Sequence, residues 1–255
     1  MSAAIEFRNL FFATAQGRLL LEDISLALDE GTTIAILGRS GSGKTTLLRT
    51  VNRMVEATSG DVLVHGQSVR QTDLIALRRS IGYVIQESGL FPHFTVERNV
   101  GLILEAEKRP RAERLERSHA LLKAVGLDPA SFASRYPHQL SGGQRQRVGV
   151  ARALAAEPKI LLMDEPFGAL DPLTRAEMQE MMRDLMARLR KTVVLVTHDL
   201  DEALYLADRI VLMSGGKVIA DLAPESFMQS TVPEVEAYRH AFHRGEAKAA
   251  HGRNA

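Results

Sequence analysis

The order of apolar and polar residues along this chain changes period several times. β-Branched and apolar runs at TTIAIL (32–37), KILLMD (159–164), TVVLVTH (192–198) and RIVLMSG (209–215) predict buried strands. AIEFRNLFF and DISLAL near the N-terminus predict short strands, the alternation in GDVLVHG predicts a hairpin strand, and IGYVIQ (81–86) predicts a buried one. Helical periods take over in TDLIALRRS, in RAERLERSHALLKAVG closed by Gly126, and in SGGQRQRVGVARALAAE opened by Ser141. A long helix follows at DPLTRAEMQEMM, with Asp171 as cap and Pro172 at its first position. Strands alternating with helices predict an α/β fold with a mostly parallel sheet. A helical segment from about residue 87 to 157 interrupts the alternation. The segment 233–255 reads as a short polar, alanine-rich tail with a frayed end.

Composition narrows the function classes. The 255 residues carry 45% hydrophobic side chains, enough for a real core. Basic and acidic residues nearly cancel, 32 against 31, so no nucleic-acid surface is proposed. Without cysteine there is no disulfide framework, thiolate nucleophile or sulfur-based zinc site. No apolar run reaches the ~20 residues that cross a bilayer, and the N-terminus lacks the pattern of a signal peptide. The expectation is a soluble, cytosolic chain whose membrane role comes through a partner.

The stretch GRSGSGKTT, residues 38–46, lies between the strand TTIAIL and the helical run LLRTVNRM. Glycine costs about 1 kcal/mol inside a helix or strand, so a cluster there needs a reason. Gly38, Gly41 and Gly43 admit backbone angles that let N–H groups converge, with Arg39, Ser40, Ser42 and Thr46 completing the loop. The helix beginning near Lys44 aims its positive end at the same point. Lys44 can reach the β- and γ-phosphates, and Thr45 offers a hydroxyl to Mg²⁺. The stretch matches G-x-x-x-x-G-K-[ST] with strand and helix on the correct sides, which predicts a nucleoside triphosphate site.

KILLMDEP places two adjacent carboxylates at the end of an apolar strand. Asp164 suits the hydration shell of Mg²⁺. Glu165, beside a γ-phosphate, can polarise a water for in-line attack. LSGGQ (140–144) reads locally as a capped helix start whose glycines expose N–H groups to an anion.

LSGGQ, with the phosphate loop before it and ILLMDEP after it, resembles the signature of ATP-binding cassette (ABC) ATPases. Gln86 matches that family's glutamine loop, GALD (168–171) its dimer-interface loop, and His198 in VTHD its switch histidine. The resemblance runs from about residue 4 to 225. It implies a RecA-like P-loop core with an N-terminal antiparallel β subdomain and an inserted helical subdomain, together an ATPase domain over 1–232. It implies two copies closing head to tail on ATP, with Ser141, Gly142, Gly143 and Gln144 meeting the partner's nucleotide. It further implies catalysis by Glu165, His198, Gln86 and Lys44, with Mg²⁺ held by Thr45, Gln86 and Asp164. One departure stands out: members place an adenine-stacking aromatic where this chain has Thr14, with Phe11 and Phe12 a few residues earlier. Adenine stacking and packing in the sheet are both open to those phenylalanines.

The longer strings GYVIQESGLFPHFTVERNVGL, RYPHQLSGGQRQRVGVARAL and LLMDEPFGALDPLTRAEMQ look like the ATPases of bacterial osmoprotectant importers for glycine betaine, choline or carnitine. That resemblance implies permease partners docking near Leu90, Phe91 and Phe94, indirectly a substrate-binding protein, and a place on the cytoplasmic membrane face. Other solutes, such as an amino acid or sulfonate, a soluble non-transport ATPase, and a non-hydrolysing regulatory clamp are the alternatives. Larger members carry a C-terminal pair of nucleotide-sensing repeats; the short stretch after RIVLMSG predicts an importer ATPase without that sensor.

Overall fold

The computed structural model describes residues 3–251, with side chains through residue 242. The chain divides into two compact units, Met1–Arg70 with Leu195–Ala255, and Gln71–Val194.

The first unit opens with β1 (Ala3–Ala13) and β2 (Leu19–Asp29), paired antiparallel. In β2, Ile24, Leu26 and Leu28 alternate inward, as a half-buried strand requires. Strand β3 (Thr33–Leu37) is buried along its whole length and feeds the phosphate loop and α1 (Lys44–Val51). Strands β4 (Ser59–Val64) and β5 (Gln67–Ser68) form the expected hairpin, giving a sheet in the order β2-β1-β4-β5.

In the second unit, α2 (Leu74–Ser80) is capped by the Asp73 carboxylate, which accepts from the Ala76 amide at 2.8 Å. Strand β6 (Ile81–Val84) stops short of the expected IGYVIQ, so Ile85 and Gln86 lie beyond its end. Helices α3 (Val96–Ala106), α4 (Arg111–Ala124), α5 (Pro129–Phe132) and α6 (Gly142–Ala153) follow, with α3, α4 and α6 packed on one another. Strand β7 (Ile160–Asp164) runs parallel to β6, pairing Ile81 with Ile160 through Val84 with Met163. Helix α7 (Pro172–Leu189) leads to β8 (Thr192–Thr197), which from Leu195 onward belongs to the first unit.

The first unit continues with α8 (Leu200–Leu206), β9 (Arg209–Ser214), β10 (Lys217–Leu222), α9 (Pro224–Gln229) and α10 (Pro233–His251). Strand β3 runs parallel to β9, and β10 is antiparallel to β9. Ala35, Leu37, Leu200, Ile210, Phe227 and Val235 belong to one buried cluster of this unit. Strand β10 and helices α9 and α10 are absent from the sequence reading. The stretch from Pro233, expected as a polar tail, begins as helix: Val235 is fully buried, and Tyr238 and Phe242 pack against the cluster. Their spacing makes a helical stripe, thinned by the charged and alanine residues between them. The expectation of a frayed chain end falls on 252–255, outside the described residues.

Candidate nucleotide-binding site

The phosphate loop belongs to the first unit. Lys44 is 4% exposed, and its Nζ donates to the carbonyls of Gly38 at 2.8 Å and Arg39 at 3.0 Å. The loop wraps its own lysine, holding a cation at the start of α1. Gly38 has no room for a side chain: a Cβ there would sit 2.7 Å from Ser42 Oγ and against the Met213 carbonyl. Gly43 has φ 101°, and a Cβ would lie 2.7 Å from the Leu20 carbonyl. Both glycines are therefore demanded by close approach, and Gly43 also by its backbone angle. Gly41 likewise has positive φ, but it faces open space and, with Arg39 and Ser40, is exposed. Thr45 and Thr46 sit half-buried in the first turn of α1. Ser42 Oγ is buried with no hydrogen-bond partner among the described residues. An orphaned buried hydroxyl is costly unless something supplies a partner. The Ser42 hydroxyl can donate to a phosphate oxygen, and the cationic, glycine-lined loop fits a phosphate chain. His198, in the same unit, is exposed just after β8.

The second unit carries the remaining candidates. Asp164 ends β7 at 6% exposure, and Tyr83 Oη donates to its Oδ2 at 3.2 Å. Glu165 follows with φ 45°, a left-handed conformation that a residue with a side chain seldom adopts. Such strain costs on the order of 1–3 kcal/mol and concentrates at functional sites. A Cβ on Gly168 would stand 3.5 Å from Gln86 Nε2 and 3.8 Å from Glu165 Oε2, so the amide and the carboxylate converge on one glycine. Gln86 also lines a cavity of about 430 Å³ with Gly142, Arg145, Gln146, Pro166 and Leu170.

Ser141 caps α6 reciprocally: its hydroxyl accepts from the Gln144 amide at 3.2 Å, and Gln144 Oε1 accepts from the Ser141 amide at 3.0 Å. Ser141 and Gly142 are exposed. Gly143 is buried against Thr174, whose methyl leaves no space for a side chain. Asp171 caps α7 through the Thr174 amide at 3.1 Å, and hydrogen bonds from Thr174 hold its carboxyl below the usual carboxylate range. Thus Gln86, Asp164, Glu165 and Ser141–Gln144 share one unit, and the phosphate loop and His198 share the other.

Two residues escaped the sequence reading. Gln146, 3% exposed, donates to the Ile85 carbonyl at 3.1 Å and accepts from the Ser88 amide at 3.1 Å, so α6 grips the chain on both sides of Gln86. Arg152 adds bonds of 2.7 Å to the Ser88 and Gly89 carbonyls, and burial pushes its guanidinium pKa down. The available signal was a glutamine in the buried stripe Gly143, Gln146, Val150 of α6. At the adenine position, Thr14 forms a turn with Arg18, its amide donating to the Arg18 carbonyl at 2.9 Å. Phe11 and Phe12 pair in the sheet with Ser59 and Leu21 and are half-buried.

The family model for ABC transporters matches residues 21–168, from β2 through the signature helix to Gly168. This chain belongs to the ABC transporter family. The choline transport ATP-binding protein OpuBA of Bacillus subtilis is 46% identical over 218 residues, covering 86% of this chain and 57% of that protein. The glycine betaine uptake system ATP-binding protein YehX of Escherichia coli is 46% identical over 226 residues, 89% of this chain and 72% of that protein. Among solved structures, the ATP-binding cassette MJ0796, a dimer in a post-hydrolysis state bound to ADP and Pi, superposes with a TM-score of 0.77. It is 35% identical and covers 86% of this chain and 98% of its own. The fold is thus the P-loop NTPase fold of ABC ATPases, as the motifs predict. This chain spans little more than half the length of the Bacillus relative. No helix among the described residues is long and apolar enough to cross a membrane.

Proposed function

We propose that this chain binds and hydrolyses ATP to energise a bacterial importer of osmoprotectants such as glycine betaine, choline or carnitine. The observation that carries the hydrolytic part is Glu165, just after β7, its carboxylate and the Gln86 amide both close to Gly168 and its backbone in a strained left-handed turn. Residues Gly38, Arg39, Ser40, Gly41, Ser42, Gly43, Lys44, Thr45 and Thr46 would hold the triphosphate. Lys44 supplies a full charge, and the Ser42 hydroxyl gains the partner it lacks. Thr45, Gln86 and Asp164 would hold Mg²⁺, a hard ion that keeps several waters and neutralises phosphate charge when bound. Glu165 orients the attacking water and takes its proton, while His198 donates a hydrogen bond toward the γ-phosphate. Ser141, Gly142, Gly143 and Gln144 meet the nucleotide of a second copy, so each chain contributes two half-sites.

The cargo reading rests on the relatives named for choline transport and glycine betaine uptake. Permease subunits would dock by the glutamine loop, where Phe91 is 43% exposed and its ring lies 5.4 Å from that of Phe94. That contact would hold the chain on the cytoplasmic membrane face, with a substrate-binding protein engaged through the permease and no nucleic acid involved. In Glu165→Gln, ATP turnover is expected to fall by about 100-fold or more while ATP binding survives, because only water activation is lost. Size-exclusion chromatography with ATP and Mg²⁺ should then show a trapped dimer. A wild type as slow as the variant would mark a nucleotide clamp instead. Uptake of labelled glycine betaine that persists unchanged in cells lacking the chain would remove the cargo assignment.

A further inference from the structure

We propose that Tyr238, on helix α10, is a positioning residue for the switch histidine His198. The inference rests on the reading of His198 as a γ-phosphate ligand and extends it to an element that the motifs do not include. Tyr238 Oη donates to the backbone carbonyl of His198 at 2.7 Å, across forty positions of sequence. The rest of the turn is already held. Thr197 Oγ1 donates to the buried Glu202 carboxylate at 2.6 Å and accepts from the Asp199 amide at 3.0 Å. The Asp199 carboxylate caps α8, accepting from the amides of Asp201 at 2.9 Å and Glu202 at 3.2 Å. The Thr197 hydroxyl thus holds the 198–199 peptide at its N–H edge. The tyrosine holds the opposite, carbonyl edge of that same peptide.

The tyrosine has a rigid base. Its ring packs on the buried cluster that includes Val235 of its own helix, Leu200 of α8 and Leu37, the residue immediately before Gly38. The approach to α10 is tied down as well. The Val232 amide donates to Ser230 Oγ at 3.2 Å, and Arg239 Nη2 donates to the Ser230 carbonyl at 2.9 Å. One cluster therefore supports the strand that feeds the phosphate loop, the helix after His198, and the helix that holds its carbonyl. Bonds at both edges of the 198–199 peptide limit the backbone movement at Cα198 that would shift the imidazole, and the tyrosine supplies one of the two.

The test is steady-state ATP hydrolysis by the purified full chain, as wild type, Tyr238→Phe, His198→Ala and the double variant. Tyr238→Phe keeps the ring packing and deletes only the hydroxyl. Its kcat is expected to fall about 3- to 10-fold with KM for ATP unchanged, the size of one lost hydrogen bond. His198→Ala should lose more, and adding Tyr238→Phe to it should cost nothing further, because the tyrosine acts only through the histidine. Wild-type kcat in Tyr238→Phe, where His198→Ala has lost turnover, overturns the inference. An additive loss in the double variant overturns it too, as does a change in KM that accompanies a lowered thermal midpoint. Full turnover in His198→Ala is a separate result: it overturns the role given to the histidine, and the tyrosine's role with it.

Discussion

Two glycine-rich helix starts, at α1 and at α6, solve the same local problem in opposite ways. Every helix begins with amide groups that have no partner in the helix. At α6 the chain finishes its own end, through the reciprocal bonds of Ser141 and Gln144. At α1 the cap position is Gly43 in a left-handed conformation, with no side-chain cap bond, and the neighbouring Ser42 hydroxyl is buried without a partner. Neither helix has an acidic residue in its first turn to answer its dipole. One start carries its own side-chain cap before any nucleotide arrives; the other has none and is built to be capped by its ligand. The difference teaches that a similar local composition can leave one helix start preformed and another dependent on its ligand.

The largest expected effect separates the two starts by ligand. Lys44→Ala removes the charge-assisted contact at α1 and should weaken ATP binding by about 1.5–3 kcal/mol, roughly 10- to 150-fold. A fluorescent-nucleotide titration reads this directly, and an affinity within twofold of wild type would break the contrast. Gln146→Leu probes the other helix from its buried side. It leaves the Ile85 carbonyl and the Ser88 amide without their partner and should cost about 1–3 kcal/mol of stability in denaturant unfolding. An unchanged unfolding midpoint would show that α6 does not anchor the glutamine loop.

Ser141→Ala deletes the cap of α6 and should cost about 1 kcal/mol in the nucleotide-free chain. Ser42→Ala, chemically the same change at the other start, removes a hydroxyl that has nothing to lose. Its nucleotide-free stability should stay equal or rise by up to about 1 kcal/mol, while the stabilisation conferred by ATP shrinks. Thermal shifts with and without nucleotide measure both serines side by side. Equal losses in the apo state would end the distinction between a finished and an unfinished helix start.

Much of this molecule was legible because its signals are local. The phosphate-loop glycines, the caps Ser141 and Asp171, the apolar run ending at Asp164 and Glu165, and the order of the motifs are each set by chemistry within a few residues. They suffice for the ABC family and its P-loop fold. Tertiary structure alone decided the partners that lie far along the chain. Gly38 needs to be glycine partly because the Met213 carbonyl approaches it. Gln146 reaches back to Ile85 and Ser88, and Tyr238 reaches the carbonyl of His198. A stripe such as Val235, Tyr238 and Phe242 carries its meaning only once a buried cluster is there to receive it. Periodicity and capping depend on the neighbouring few residues, whereas burial and long-range hydrogen bonding depend on which distant surfaces the folded chain brings together.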